Sequence, residues 1–344
     1  MNNDRHALRE KKVSYKTMYE RDRELQLFFS TLWSLPQWVA VDPRSLRPKH
    51  MIAVFDQWRA QGLSAKTLTN RLSSLRTFAF WIGKRGLVEA ASNLGLDVKG
   101  LRTSQVATRD KSWRSLGVDV KCVIAEAEKR CPFVAASVEL EWVFGLRRRE
   151  SVMSFPHEGV VPIAEARFSA GNKEGVSYVF DVVGAKGKRP RQVPIETDEQ
   201  WAAIRRAQAL VAPDQPLGRP GKSLKTNLSW MDRVLARIGI TKKKLGVTAH
   251  GLRHQRFNDD FERITGEPSP VRGGKVVDLE TDRASRDYIA EVAGHVRRQI
   301  VSAYCGSQVR NRKNRKTSIA DEASEAEKSV ASIESERAEP QENS

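Results

Sequence analysis

The sequence predicts a mainly α-helical protein with one small β-sheet, organised as two domains. Three observations carry that prediction. Helix-forming segments with apolar residues three and four apart occupy most of the chain. One stretch, VSYVFDVVGAKGKRPRQVPI, changes to short β-branched runs around a turn rich in Gly, Lys and Pro. The length of 344 residues is more than a single core usually serves.

Taken in order, residues 14 to 34 are rich in helix formers without Gly or Pro, and residues 49 to 61 read as a second helix. A third begins at Ser64, a good N-cap, and sets Leu68, Leu72, Leu75, Ala79 and Ile82 on one stripe until Gly83 and Gly86 end it. Its opposite face carries Lys66, Arg71, Arg76 and Lys84, so residues 1–100 are expected to form a helical domain with an apolar interior and a DNA-binding exterior. Residues 101–115 are polar, basic and aperiodic, and are expected to be a linker. The second domain, 116–308, should open with helices near 117–130 and 133–150. The hairpin follows at 176–183 and 191–195, with Lys188 and Arg191 as further DNA-binding cations. Helices are then expected at 197–212, 222–238, 249–263 and 284–304. Residues 309–344 form a Glu-, Ser- and Ala-rich acidic tail, expected to be disordered or to dock on another subunit along its weak stripe Ile319, Ala323, Ala326, Val330 and Ile333.

Composition narrows the function. At 40% hydrophobic and 29% charged residues, with no bilayer-length apolar run and no signal-peptide pattern, the chain is expected in the cytoplasm. Cys122, Cys131 and Cys305 are odd in number and unrelated in spacing, which fits neither a disulfide framework nor a zinc site. The net charge is +17, and because the segment from Thr317 onward carries −6, residues 1–316 hold +23. Solubility alone asks for a magnitude of roughly 2 to 8. A positive charge spread over the whole body suits a long polyanion such as duplex DNA better than a small anionic substrate.

Singly, the polar candidates have ordinary explanations: Arg147 in FGLRRRE as a solvated helix face, Lys186 in GAKGKRPR as a free hairpin tip, His295 and Tyr304 as satisfied core residues. His250 and His254 are four apart, but Gly251 stands where a helical zinc protease keeps its glutamate, so no metal is expected there. As a set they read differently. His250 and Arg253 share one face of the first turn of a helix starting near Thr248, where free backbone N–H groups and the helix dipole favour a phosphate. Arg147 and Arg253 supply two planar forks that can hold the non-bridging oxygens of one phosphodiester and neutralise the charge that develops on attack. A tyrosine can attack phosphorus and keep it as a phosphotyrosine, so a second DNA hydroxyl reverses the step without ATP. A hairpin-tip lysine among arginines can protonate the departing 5′ oxygen. Of Tyr15, Tyr19, Tyr178, Tyr288 and Tyr304, only Tyr304 follows His295.

In order, GLRRRE, AKGKRPRQVPI, HGLRH and GHVRRQIVSAY resemble the four signature segments of the tyrosine recombinases, the phage-type integrases. The resemblance spans roughly 115 to 305. It implies a helical SAM-like core-binding domain in front of a tyrosine-recombinase catalytic domain, clamped on DNA from two sides. It further implies that Arg147 and Arg253 bind phosphate, Glu150 supports Arg147, Lys186 is the general acid, His250 assists proton transfer at the tyrosine, His295 bonds the scissile phosphate and Tyr304 is the nucleophile. The activity implied is site-specific cleavage and rejoining of duplex DNA, for integration or excision of a mobile element, by a homotetramer working without cofactor or metal and with accessory DNA-bending proteins. A type IB topoisomerase shares the same groups, and a non-catalytic DNA-binding accessory protein could share the fold. One departure is a segment at 258–284, FERITGEPSPVRGGKVVDLETDRASR and its surroundings, longer than family members carry by roughly twenty residues and expected to be a surface excursion. Another is VRRQIVSAY, which lacks the usual small hydroxyl residues before the tyrosine.

Overall fold

The structure is a computed structural model that describes residues 5–6, 9–101, 104–167, 174–185 and 191–308. Lys186, Lys188 and the tail from 309 lie outside the described residues. The chain divides into two compact units, Met1–Ser104 and Gln105–Ser344.

The first unit carries a short antiparallel pair, β1 (Arg5–His6) and β2 (Arg9–Lys12), then four helices, α1 (Tyr15–Trp33), α2 (Pro48–Ala60), α3 (Ala65–Trp81) and α4 (Leu87–Asn93). The hydroxyls of Ser14 and Ser64 accept the backbone N–H groups of Thr17 and Thr67, each at 3.2 Å, which fixes the starts of α1 and α3. The predicted stripe Leu68, Leu72, Leu75 and Ala79 is buried, and it meets Phe28, Leu32, Val54, Phe55 and Trp58 in one core. Helix α4 was not foreseen; it adds Val88 and Ala91 to that core.

The second unit contains α5 (Val120–Glu128), α6 (Pro132–Phe144), α7 (Arg148–Met153), the strands β3 (Val160–Pro162), β4 (Tyr178–Asp181) and β5 (Gln192–Ile195), then α8 (Asp198–Gln208), α9 (Leu224–Arg237), α10 (Lys242–Leu245), α11 (His250–Thr265), α12 (Leu279–Val292) and α13 (Ser302–Cys305). The predicted hairpin gains a third strand: the sheet order is β3-β4-β5, antiparallel throughout, with Val160 opposite Phe180 and Tyr178 opposite Ile195. The sheet packs on α6 through Phe144 and Phe180, whose rings stack with centroids 5.0 Å apart.

Four expectations are corrected. The helix predicted over 133–150 is two helices, because Gly145 takes a left-handed φ of +60°. The side chain of any other residue there would meet Phe257 at 3.2 Å. The helix predicted over 284–304 stops at Val292; Gly294 has φ +69°, and a 3-10 turn over Arg298–Val301 leads into α13. The expected linker is part of the second unit from Gln105 on: Trp113 is fully buried and its Nε1 donates to Thr248 O at 2.7 Å. The expected surface excursion is anchored. Ser269 is buried, its Oγ donates to Asn258 Oδ1, and Arg272 bridges Asp110 at 2.9 Å and Asp259 at 2.7 Å. Among the described residues, no helix is long and apolar enough to cross a membrane.

Candidate active site

Four segments of the second unit meet at Tyr304. The first is the α6–α7 junction. The turn forced by Gly145 lets Arg147 stand just ahead of α7, while Glu150, in the first turn, reaches back and accepts the Arg147 backbone N–H at 2.8 Å. The same carboxylate pairs with the Arg147 guanidinium through Oε1, and Arg253 Nη1 lies 4.0 Å from its Oε2. The two arginines expected to share a phosphate therefore reach the two oxygens of one carboxylate.

The second segment is α11. His250, Arg253, His254 and Phe257 recur every three or four residues, so they line one face. Gly251 has a packing reason: a Cβ there would sit 2.7 Å from both Lys111 O and Trp113 Cδ1. Arg253 is 0% exposed and its guanidinium lies over the Phe257 ring, 4.5 Å from the centroid. It donates to Gly145 O at 2.6 Å, to Ala293 O at 2.7 Å and, through Nε, to the phenol oxygen of Tyr304 at 3.2 Å.

The third and fourth segments carry His295 and Tyr304. His295 follows the Gly294 turn, and its Nε2 lies 3.3 Å from the Tyr304 oxygen. The tyrosine ring is 6% exposed, held edge-on against Phe257 at 4.9 Å and beside His254 at 5.0 Å and His250 at 5.9 Å between centroids. Behind it, Asn258 Nδ2 donates to Tyr304 O at 3.4 Å, and Arg286 donates to Gly306 O at 3.2 Å. Of the predicted site, Arg147, Glu150, Arg253, His295 and Tyr304 are joined by direct polar contacts. His250 stands near the ring, and Lys186 lies outside the described residues.

Electrostatics leave the site with neutral imidazoles. Removal from water and then the positive charges of Arg253 and Arg147 push His250 and His295 down to about 4. More than a third of His250 remains open to solvent, which screens that push. Burial and then His250 push His254 to about 3. Burial alone would raise Glu150, but Arg191, Arg253 and Arg147 outweigh it and hold the carboxylate at about 2. The tautomer that protonates Nδ1 gives His295 a free Nε2 to accept the phenol proton.

Two of the expected DNA-contacting cations are exposed, Lys66 and Arg76 on α3. Three are engaged within the protein. Arg71 stacks on Trp58 at 4.1 Å, pairs with Glu24 at 3.0 Å and keeps 14% of its side chain exposed. Lys84 donates to Leu46 O at 3.0 Å. Arg191 is buried, its guanidinium bonded to Glu150, Val292 O, Phe144 O and Gly145 O. Lys111, exposed and close enough to His250 and His254 to lower both, was missed. Phe257 was also missed, although its place four residues after Arg253 put it on the same face.

Comparison with known proteins bears on the whole arrangement. The family model "Phage integrase, N-terminal" matches residues 3–88, and the family model "Integrase" matches residues 102–258. Tyrosine recombinase XerC of Methylobacterium sp. (strain 4-46) is 27% identical over 264 residues, covering 72% of this chain and 75% of that protein. Among solved structures, a lambda integrase dimer bound to a COC′ core site aligns with TM-score 0.51 at 13% identity, over 85% of this chain and 72% of that one. The Tn1549 transposon integrase in complex with transposon right end DNA aligns with TM-score 0.51 at 13% identity, over 90% of this chain and 95% of that one. The two structural likenesses speak for the fold, and the family models and the XerC relative make the chain similar along most of its length to the tyrosine recombinases, the family of the phage integrases.

Proposed function

We propose that this DNA strand-breaking and rejoining enzyme attacks the scissile phosphodiester with Tyr304. The observation that carries the reading is the phenol oxygen of Tyr304, within hydrogen-bonding distance of both Arg253 and His295, while Arg147 and Arg253 share the Glu150 carboxylate. The Oη–P bond forms as the P–O5′ bond breaks, leaving a 3′-phosphotyrosine and a free 5′ hydroxyl. The phenol proton passes to a neutral imidazole, and His295 is the ring already in contact, with His250 beside it. Lys186 supplies the proton to the 5′ oxygen. Arg147, with 27% of its side chain exposed, meets the incoming phosphate first. Arg253 becomes reachable as Tyr304, which covers it, moves into line.

The partner is duplex DNA, drawn by the +17 net charge, with four subunits and accessory DNA-bending proteins completing a recombination assembly. The setting is the bacterial cytoplasm, at the nucleoid. Mobile-element integration or excision fits the likeness to the Tn1549 transposon integrase, a protein solved on transposon end DNA. Purified protein mixed with a nicked suicide substrate tests the chemistry. A covalent protein–DNA adduct, abolished by Tyr304→Phe with DNA binding retained, is expected; an adduct that survives the substitution removes Tyr304 as nucleophile. Strand exchange between two sites separates a recombinase from a topoisomerase that only relaxes supercoils.

A further inference from the structure

Arg191 belongs, by charge and by its place beside the hairpin loop, among the cations expected to face DNA, yet its side chain is 0% exposed. It immediately precedes β5, five residues after Lys186 in sequence. Its Nη1 donates to Glu150 Oε2 and its Nε to Val292 O; its Nη2 donates to Phe144 O and Gly145 O, each at 3.3 Å. Those acceptors belong to two segments. Phe144 and Gly145 lead into Arg147, and Val292 leads into His295. Arg253 ties the same two segments from the other side, through Gly145 O and Ala293 O. The Gly294 turn is shaped around Arg191, whose Cδ would lie 3.1 Å from a Cβ at that position.

A buried guanidinium is a costly way to hold a strand end, and apolar side chains of similar volume do so at least as well. What an arginine adds is a rigid planar fork that fixes the directions of several acceptors at once. We propose that Arg191 is a positioning residue for strand cleavage: it staples the turn before Arg147 to the turn before His295, so that both groups face one phosphodiester together. Burial and the nearby Arg253 lower Arg191 to about 9, which leaves it charged at neutral pH and able to offset Glu150. The proposal rests on the recombinase reading above.

The test uses the full-length protein and two suicide substrates, one with a normal scissile phosphate and one with a neutral methylphosphonate there. The methylphosphonate lacks one non-bridging charge, so a defect in guanidinium neutralisation matters less on it, whereas a general folding defect slows both substrates alike. Arg191→Lys should keep DNA affinity within about threefold. It should form adduct about a hundredfold more slowly on the phosphate, the scale of losing one preorganised donor, and less than about tenfold more slowly on the methylphosphonate, the pattern also expected of Arg147→Ala. Arg191→Gln, which retains planar donors, replaces it should the lysine variant not fold. Equal slowing on both substrates, unimpaired cleavage, or failure of both variants to fold makes Arg191 a fold staple and overturns the proposal. Absence of any adduct with the unsubstituted protein would instead sink the recombinase reading itself.

Discussion

The two units place their arginines and lysines differently. On α3, Lys66 and Arg76 stand in solvent, where each contributes a screened attraction that any phosphate backbone can satisfy. In the second unit Arg191 and Arg253 have no exposed surface and spend their donors on Glu150, the Tyr304 oxygen and four backbone carbonyls, those of residues 144, 145, 292 and 293. The first arrangement gives affinity that salt can remove. The second gives geometry, because a desolvated charge costs several kcal/mol unless every partner is in place, and so it tolerates few alternative conformations.

The sharpest way to break that contrast is to remove the one anion that balances the buried set. Glu150 is 1% exposed on its side chain and faces Arg147, Arg191 and Arg253. Glu150→Gln keeps its shape but leaves three guanidinium groups without a counter-charge, and the loss should be about 3–5 kcal/mol of unfolding free energy at pH 7. The sign with pH follows from the carboxylate sitting near 2, below its ordinary 4.5. Its contribution is complete above pH 4.5 and is lost as the pH falls toward 2, so the gap between parent and variant should close in acid. Urea denaturation across that range checks both statements; a loss under about 1 kcal/mol at pH 7 would mean the arginines do not depend on this carboxylate.

What was legible in the sequence followed local rules, and what was not depended on partners far along the chain. Ser64 and the Leu68, Leu72, Leu75 stripe announced α3 because capping and the 3.6-residue period act within a few residues. Tyr304 could be singled out because it is the one tyrosine after His295. Strand β3 escaped notice because Val160–Pro162 is three residues long and has no alternation to show. The break at Gly294 was hidden by helix-forming residues on both sides, although a glycine immediately before a site histidine was a usable signal. Arg71 and Arg76 look alike in sequence. Only Glu24 and Trp58, brought in by α1 and α2, bury one of them. The same holds for Arg191, whose charge says surface until Glu150 is placed beside it. The "Integrase" family match, which ends at residue 258, likewise stops short of His295 and Tyr304.

A smaller effect sharpens the picture of the dry side of the site. His254 is buried beside Tyr304 and is held near 3, against an ordinary 6.5, by loss of water and then by His250. The unfolded chain takes up this proton below about pH 6.5 and the folded chain does not until near 3, so stability is complete above that window and falls as the pH drops through it. Nδ1 of His254 has no hydrogen-bond partner among the described residues, so a phenylalanine can take the ring's place without stranding one. Between pH 6 and 4, His254→Phe should flatten the dependence of unfolding free energy on pH by about 1.4 kcal/mol per unit, the worth of one proton. An unchanged slope would show that this imidazole titrates alike in both states.

The least costly substitutions test the other half of the contrast, on α3. Lys66→Gln and Arg76→Gln remove charges that touch solvent, so the melting temperature should stay within about 2 °C, while the slope of log Kd against log salt should fall by about 0.9 for each phosphate no longer neutralised. Arg71→Gln, five residues before Arg76 on the same helix, should do the reverse. It gives up the Glu24 pair and the stack on Trp58, and it should lower stability by about 1 kcal/mol while leaving the salt slope where it was. Binding titrations at four or five salt concentrations, run beside thermal melts of the three variants, separate the two behaviours. A salt slope that falls equally for Arg71 and Arg76 would place Arg71 on the DNA despite its internal partners. Burial in the free protein would then be a poor guide to which cations of this helix meet phosphate.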